Sequence, residues 1–225
     1  MKSIFFTFFI VIVLSASALG QENKELDVII NKVQAKYEKI NEFHAKFTQE
    51  STVKALDQVQ EAEGEVWLKK PGKMRWNYYE PTKEEYVSDG STLWFYNHEE
   101  KQIIESTLQD VTDTNTATTF LSGLGDIEEQ FNPRFSNGSL SNDNNYYMID
   151  LIPIGDDEGY NKVTIAVDKE SMLVRNFYLY DPFGNLTKVE LQDIEINKGI
   201  PDSLFTLKVP KGTELIKVPS KPNQQ

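Results

Sequence analysis

Between Gly64 and Tyr96 aromatic side chains and turn pairs recur at strand spacing, and no other stretch restricts the fold as much. Pro71-Gly72 and Asp89-Gly90 each separate runs rich in β-forming residues, which is the signal of tight turns joining antiparallel strands. All three tryptophans of the chain, Trp67, Trp76 and Trp94, fall inside it. Alternation along a strand puts Met74, Trp76 and Tyr78 on one face and Arg75, Asn77 and Tyr79 on the other. A sheet with so aromatic a face has to hide it against something.

The rest of the chain limits what that something is. Lys2 followed by the apolar run Ile4 to Leu14, then the small residues Ala16, Ala18 and Gly20, reads as a cleaved secretory signal peptide over residues 1–20. The apolar run is too short for a membrane anchor, which needs about 20 residues. The chain has no cysteine, so neither disulfides nor lipid attachment through an N-terminal Cys is available. Export without disulfides suits a bacterial periplasm. Roughly 200 residues follow the signal. With no Pro/Gly/Ser-rich linker to divide them, residues 21–218 read as one domain and 219–225 as a frayed tail. The formal net charge of -12 repels nucleic acid and anionic lipid headgroups.

Taken in order, Leu26, Ile29, Ile30, Val33, Tyr37 and Ile40 are spaced as one face of an amphipathic helix. Phe43 to Val53 is extended, and the polar segment from Lys54 to Ala62 reads as a loop or hairpin tip. After Asn97-His98-Glu99-Glu100 a further strand runs from Gln102 to Glu105. Within Asp110 to Leu124, Ala117, Phe120, Leu121 and Leu124 form a narrow apolar stripe ending at Gly125, a short helix of poor intrinsic propensity that needs packing to persist. Past Tyr146 the pattern is β again. Tyr147, Ile149 and Leu151 alternate, as do Val163, Ile165 and Val167, then Leu173, Phe177 and Leu179 with Arg175 in the same row. Leu186 to Ile196 and Phe205 to Val209 supply the last strands. Short strands with two inserted amphipathic helices predict a mainly β fold, a curved antiparallel sheet or incomplete barrel with helices over its open side.

Catalytic signatures are missing. The two histidines sit in unpromising places, His44 among apolar neighbours and His98 in a charged turn. There is no Gly-x-Ser-x-Gly elbow, no His-Glu-x-x-His zinc pair and no phosphate-binding Gly-Lys-Ser/Thr loop. The chain therefore reads as a binding protein and not an enzyme, with no cofactor.

Phe43-His44-Ala45-Lys46-Phe47-Thr48-Gln49, Gly64-Glu65-Val66-Trp67-Leu68-Lys69-Lys70-Pro71, Met74-Arg75-Trp76 and the block from Val87 to Asn97 occur in an order that resembles the LolA family of periplasmic outer-membrane lipoprotein carriers. Phe205 to Gly212 is similar to that family's final strand. The resemblance implies an unclosed antiparallel β-barrel of about eleven strands, covered by helices that form a lid over an apolar cavity. It implies a carrier that takes triacylated lipoproteins from an inner-membrane ABC transporter complex to an acceptor at the outer membrane.

By motif position the resemblance places Tyr37 at the cavity, with Trp67, Met74, Trp76 and Phe95 as apolar lining and Met74 near the mouth. The helix beginning near Asn115 becomes a lid that points Leu121 inward, flanked by Phe120 and Leu124. Lys70 stands where well-studied members carry an arginine that latches the lid through backbone carbonyls. An ammonium offers three donors on a flexible stem where a guanidinium offers five in a fixed fork, so the latch is looser or made differently, with Arg75 as a possible substitute. A LolA-like module that senses or carries another amphiphile, such as a glycolipid or a mislocalised lipoprotein, is the alternative. The outer-membrane acceptor itself is lipid-anchored, which the missing cysteine argues against. Nothing points beyond a monomer.

Overall fold

The helical spacing at the start of the chain becomes a helix over residues 24–38 (α1), whose buried stripe is Leu26, Ile29, Ile30, Val33 and Tyr37. The computed structural model describes residues 24–108, 127–137, 144–155 and 159–219. In it α1 packs on one face, the inner face, of an open twelve-stranded sheet. The strands are β1 (Glu42–Val53), β2 (Gln58–Lys69), β3 (Lys73–Glu80), β4 (Glu84–Asp89), β5 (Thr92–Asn97), β6 (Gln102–Thr107), β7 (Phe131–Phe135), β8 (Tyr146–Pro153), β9 (Lys162–Asp168), β10 (Val174–Tyr180), β11 (Leu186–Ile196) and β12 (Glu214–Lys217). A one-turn helix, α2 (Ile127–Gln130), precedes β7, and a 3-10 turn, Asp202–Phe205, precedes β12. The expected unclosed, mainly β architecture is what the chain adopts.

The strand order is β12-β6-β5-β4-β3-β2-β1-β11-β10-β9-β8-β7. Two runs of antiparallel hairpins thus meet at the β1–β11 seam, and only β12 on β6 is parallel. Both predicted turn pairs sit between strands, Pro71-Gly72 joining β2 to β3 and Asp89-Gly90 joining β4 to β5. The inner face carries the main core: Phe43, Ala45 and Phe47 of β1, Val66 of β2, Trp76 of β3, and the alternating residues Ile149 and Leu151, Val163, Ile165 and Val167, and Val189 and Leu191 of the other half. Alternation along β3 holds as read, since Met74 and Trp76 are buried while Arg75 and Asn77 are not.

One glycine is fixed by close approach. Gly64 pairs with Phe47 across β1–β2. A Cβ there would lie 1.9 Å from the carbonyl oxygen of Asn77 and 2.8 Å from the Phe47 ring.

Three readings of the chain change. The polar stretch Lys54 to Ala62 is mostly strand: only residues 54–57 form the turn, and β2 starts at Gln58, paired with Val53. The row Leu173, Arg175, Phe177 is broken by a bulge between Val174 and Asn176, so Val174 and Phe177 enter the core and Arg175 does not share their row. An extra residue in one strand shifts its alternation by one, which an uninterrupted period cannot anticipate. Phe205 to Val209 is not a strand. Phe205 ends the 3-10 turn and the last strand lies further on, at Glu214–Lys217. The predicted signal (1–20) and the stripe from Ala117 to Leu124 lie outside the described residues.

The opposite, outer face has its own cover. Register puts Arg75 beside Val87, and Glu85 beside Tyr96, on that side. Val87, Tyr96 and Ile103 are buried there, and the turn bearing the fully buried Phe205 packs against β3 and β4. Ion pairs tie this C-terminal strap down. Lys69 Nζ lies 3.1 Å from Glu42 and 2.9 Å from Asp202, Lys73 Nζ lies 2.8 Å from Asp202, and Arg75 Nη1 donates to the carbonyl of Leu204 at 2.9 Å.

Candidate apolar binding face

Register carries the aromatic character of β3 sideways across the sheet. Trp76 is paired with Tyr86, and Tyr86 with Phe95, so all three share the inner face. Phe47 meets Trp76 at a tilt of 43° with ring centres 4.7 Å apart and meets Tyr78 edge-on at 5.1 Å. Tyr78 meets Tyr86 at 6.2 Å, and Tyr86 meets Phe95 at 4.8 Å. Five rings thus run from β1 to β5, with Phe47 and Trp76 buried and Tyr78, Tyr86 and Phe95 half-buried. An aromatic surface left half-open at the edge of a core is a surface with binding capacity to spare.

The polar tips of these rings stay neutral. Burial, and then the neighbouring Glu84 carboxylate, push the Tyr86 phenol up to about 12. Burial, with Tyr86 next, also pushes Tyr78 up, and its hydroxyl donates to Gln49 Oε1 at 3.1 Å. The phenols therefore carry no formal charge at ordinary pH, while the Glu84 carboxyl stands across from Tyr78 at the rim of the row.

The expected lining residues divide between the two faces. Met74 and Trp76 lie on the inner face, buried, and Phe95 lies there half-buried. Tyr37 is inward as well, but as a structural bolt. Its hydroxyl accepts from the backbone N–H of Val174 at 3.0 Å, and burial pushes its phenol up to about 12. Trp67 does not join them. Register pairs it with His44 and Arg75, and it stacks on the His44 ring at 5.0 Å on the outer face. Its neighbour Val66 points inward instead, as period two requires. Phe120, Leu121 and Leu124 lie outside the described residues.

The two expected latch cations have different partners. Lys70 Nζ donates to the carbonyl of Tyr37 at 2.9 Å and to that of Glu38 at 3.4 Å, the last turn of α1. Arg75 is on the wrong face for that task, committed to Glu85, Asn77 Oδ1 and the carbonyl of Leu204. The ends of the segment that bears the predicted lid are themselves described. The chain leaves at Leu108, whose N–H donates to the carbonyl of Ser91 beside the Gly72 turn, and returns at the buried Ile127, whose N–H donates to Gln34 Oε1 of α1 at 3.4 Å. Residues 109–126 thus connect the Lys70 end of the sheet to the middle of α1.

Sequence reasoning passed over Tyr86 and Phe47 as members of the inner face. The signal that finds them is cross-strand: alternation within β3 must be carried through the two tight turns into its neighbours.

An open sheet with an aromatic inner face under a helix defines a scaffold for shielding an apolar surface from water. Among the described residues no group of three or more His, Cys, Asp or Glu is placed to hold a metal, and no helix is long and apolar enough to cross a membrane. The family described as "Outer membrane lipoprotein carrier protein LolA" matches residues 38–208. The chain is 30% identical over 203 residues to the outer-membrane lipoprotein carrier protein of Sodalis glossinidius, covering 90% of this chain and 91% of that one. It is 28% identical over 187 residues to the carrier of Nitrosospira multiformis, covering 83% and 87%. Among solved structures, an uncharacterized conserved protein from Thermus thermophilus shares the fold with a TM-score of 0.55 at 11% identity, over 85% of this chain and 98% of that one. The chain belongs to the LolA family of lipoprotein carriers, which are non-enzymatic transport chaperones.

Proposed function

We propose that this protein takes up the acyl chains of triacylated lipoproteins released by an inner-membrane ABC transporter complex, carries them across the periplasm and gives them up at the outer membrane. The half-open row Tyr78, Tyr86 and Phe95 beside α1 carries this reading. Each buried methylene contributes about 0.8 kcal/mol, so one long acyl chain carries on the order of 10 kcal/mol that water would otherwise forfeit. Noncovalent affinity saturates near ~20 kcal/mol, and a carrier at that limit would not release its load. A cover that costs free energy to displace lowers the net affinity.

In this reading the helix beginning near Asn115 is the cover, with Phe120, Leu121 and Leu124 turned toward the rings, and Met74 lies at the mouth. Lys70 holds the closed state through the end of α1. Since the chain has no nucleotide-binding loop, the energy for loading enters through the transporter.

Incubating the purified protein with spheroplasts making labelled lipoproteins tests the proposal. Labelled lipoprotein should appear in the soluble fraction bound to the wild type and not to a Leu121→Glu variant whose circular dichroism is unchanged. Absence of any soluble lipoprotein complex with the wild type would defeat the reading.

A further inference from the structure

β2 runs past its neighbour β3. β3 ends at Glu80, opposite Glu63, so residues 58–62 of β2 have no β3 residue beside them. β1 and β2 continue to the Val53–Gln58 pair, and β11 accompanies β1 as far as the Thr52–Leu186 pair. The result is a corner of the sheet, open on its β3 side and flanked on the other by β10 and β9 as far as Tyr180 and Lys162, that ends in two adjacent turns, residues 54–57 and 181–185. They are fastened to each other, because Asn185 Oδ1 accepts from the backbone N–H of Lys54 at 3.0 Å.

Three apolar side chains stand exposed at this corner, among the exposed Lys54, Asp57, Gln58 and Gln60. Phe183 is 84% exposed, Leu56 63% and Val59 61%. Singly exposed hydrophobes are ordinary; these three lie in or next to two turns that are bonded to each other and largely within themselves. The N–H groups of Leu56 and Asp57 bond back to Val53 and Lys54, and that of Gly184 to the carbonyl of Asp181. The Asp181 carboxylate accepts from the N–H groups of Phe183 and Asn185, and from Asn185 Nδ2. The Lys54 side chain lies over Gly184.

We infer that this corner inserts into the interface of a lipid bilayer of predominantly zwitterionic headgroups. The three side chains come from two turns and a strand end, so a protein partner would have to match each of them, whereas acyl and headgroup packing accepts apolar side chains without matching shape. The N–H groups of Lys54, Leu56, Asp57, Phe183, Gly184 and Asn185 are bonded within the two turns, which lowers the cost of entering a low-dielectric layer. Asp181 enters with its oxygens occupied, and Lys54 is long enough to keep its ammonium at the phosphate level. The turns are held before contact, so little ordering entropy is lost on insertion. With a net charge of -12 the attraction is not electrostatic. The contact holds whether or not a lipoprotein is aboard.

The test is co-flotation of the protein, purified without the apolar residues 1–20, with vesicles of phosphatidylcholine and phosphatidylethanolamine. The wild type should float with them, equally at low and high salt, and less when phosphatidylglycerol is added. Phe183→Ser should lower the partition coefficient roughly tenfold and Leu56→Ser by a smaller factor, with the thermal midpoint unchanged because both side chains are exposed. Equal flotation of Phe183→Ser and wild type overturns the inference. So does binding that appears only on native membranes and disappears when their proteins are shaved, which assigns the corner to a protein partner. Failure here leaves lipoprotein uptake from spheroplasts unaffected, so the two proposals fail separately.

Discussion

Tyr37 is gripped at both ends. Its carbonyl oxygen accepts from Lys70 Nζ at 2.9 Å and its hydroxyl oxygen accepts from the Val174 N–H at 3.0 Å. Lys70 belongs to the β2–β3 turn and Val174 to β10, on opposite sides of the β1–β11 seam. The last turn of α1 therefore bridges the two halves of the sheet, and what loosens it loosens the helix that covers the inner face.

Replacing Lys70 with Ala should cost well under about 1 kcal/mol of global stability, because an exposed cation at a helix C-terminus contributes little. Amide exchange in the last turn of α1 should nevertheless quicken, and Lys70→Arg should restore it. Unchanged exchange in the Ala variant would show that the cation does not hold this turn.

Tyr37→Phe removes the acceptor of a buried N–H and should cost about 1–3 kcal/mol in urea unfolding. The phenol also has a pH signature. Its value in the folded chain, about 12, lies above the ordinary 10.0. Its contribution is intact below pH 10 and is lost as pH rises through 12. The Phe variant should lose stability less steeply than wild type across that window.

Gly64→Ala should destabilise by about 3 kcal/mol or more, because the new methyl collides with the Asn77 carbonyl and the Phe47 ring and neither is free to retreat. A thermal shift comparable to that of an exposed Gly→Ala change would contradict the geometry.

Acid should release the C-terminal strap before the sheet. Hydrogen bonds from Lys73 and then Lys69 hold the Asp202 carboxyl at about 2, below its ordinary 3.8. A depressed carboxyl contributes above its unfolded value and loses that contribution as pH falls from about 4 to 2. Proteolysis or exchange in residues 198–205 should rise over that interval, and Asp202→Asn should show it already at neutral pH.

Much of this architecture is legible in the chain. Tight-turn pairs located four strands, and the three-and-four spacing from Leu26 to Tyr37 located α1. Residue type alone did not orient Trp67. A tryptophan in an aromatic block invites assignment to the core, but its partner across β1 is His44, and only the register shows that both face outward. Lys70 was legible as a candidate latch because it precedes Pro71, while the carbonyls it reaches depend on where α1 ends. The bulge at Arg175 and the strand at Glu214–Lys217 escaped for opposite reasons. One breaks a period locally, and the other is a short exposed strand defined by its pairing to β6 rather than by any apolar alternation of its own.

The seam described above also sets a timetable. β1 is made early, yet one of its two neighbours is β11, so Phe43 waits for Ile196 and Lys46 for Gln192 before that edge is covered. Contacts so distant along the chain make folding slow. Until nearly the last residue has emerged, a strand carrying Phe43 and Phe47 offers a bare flank to any other extended chain nearby, and the newborn protein is at its most vulnerable to wrong partners.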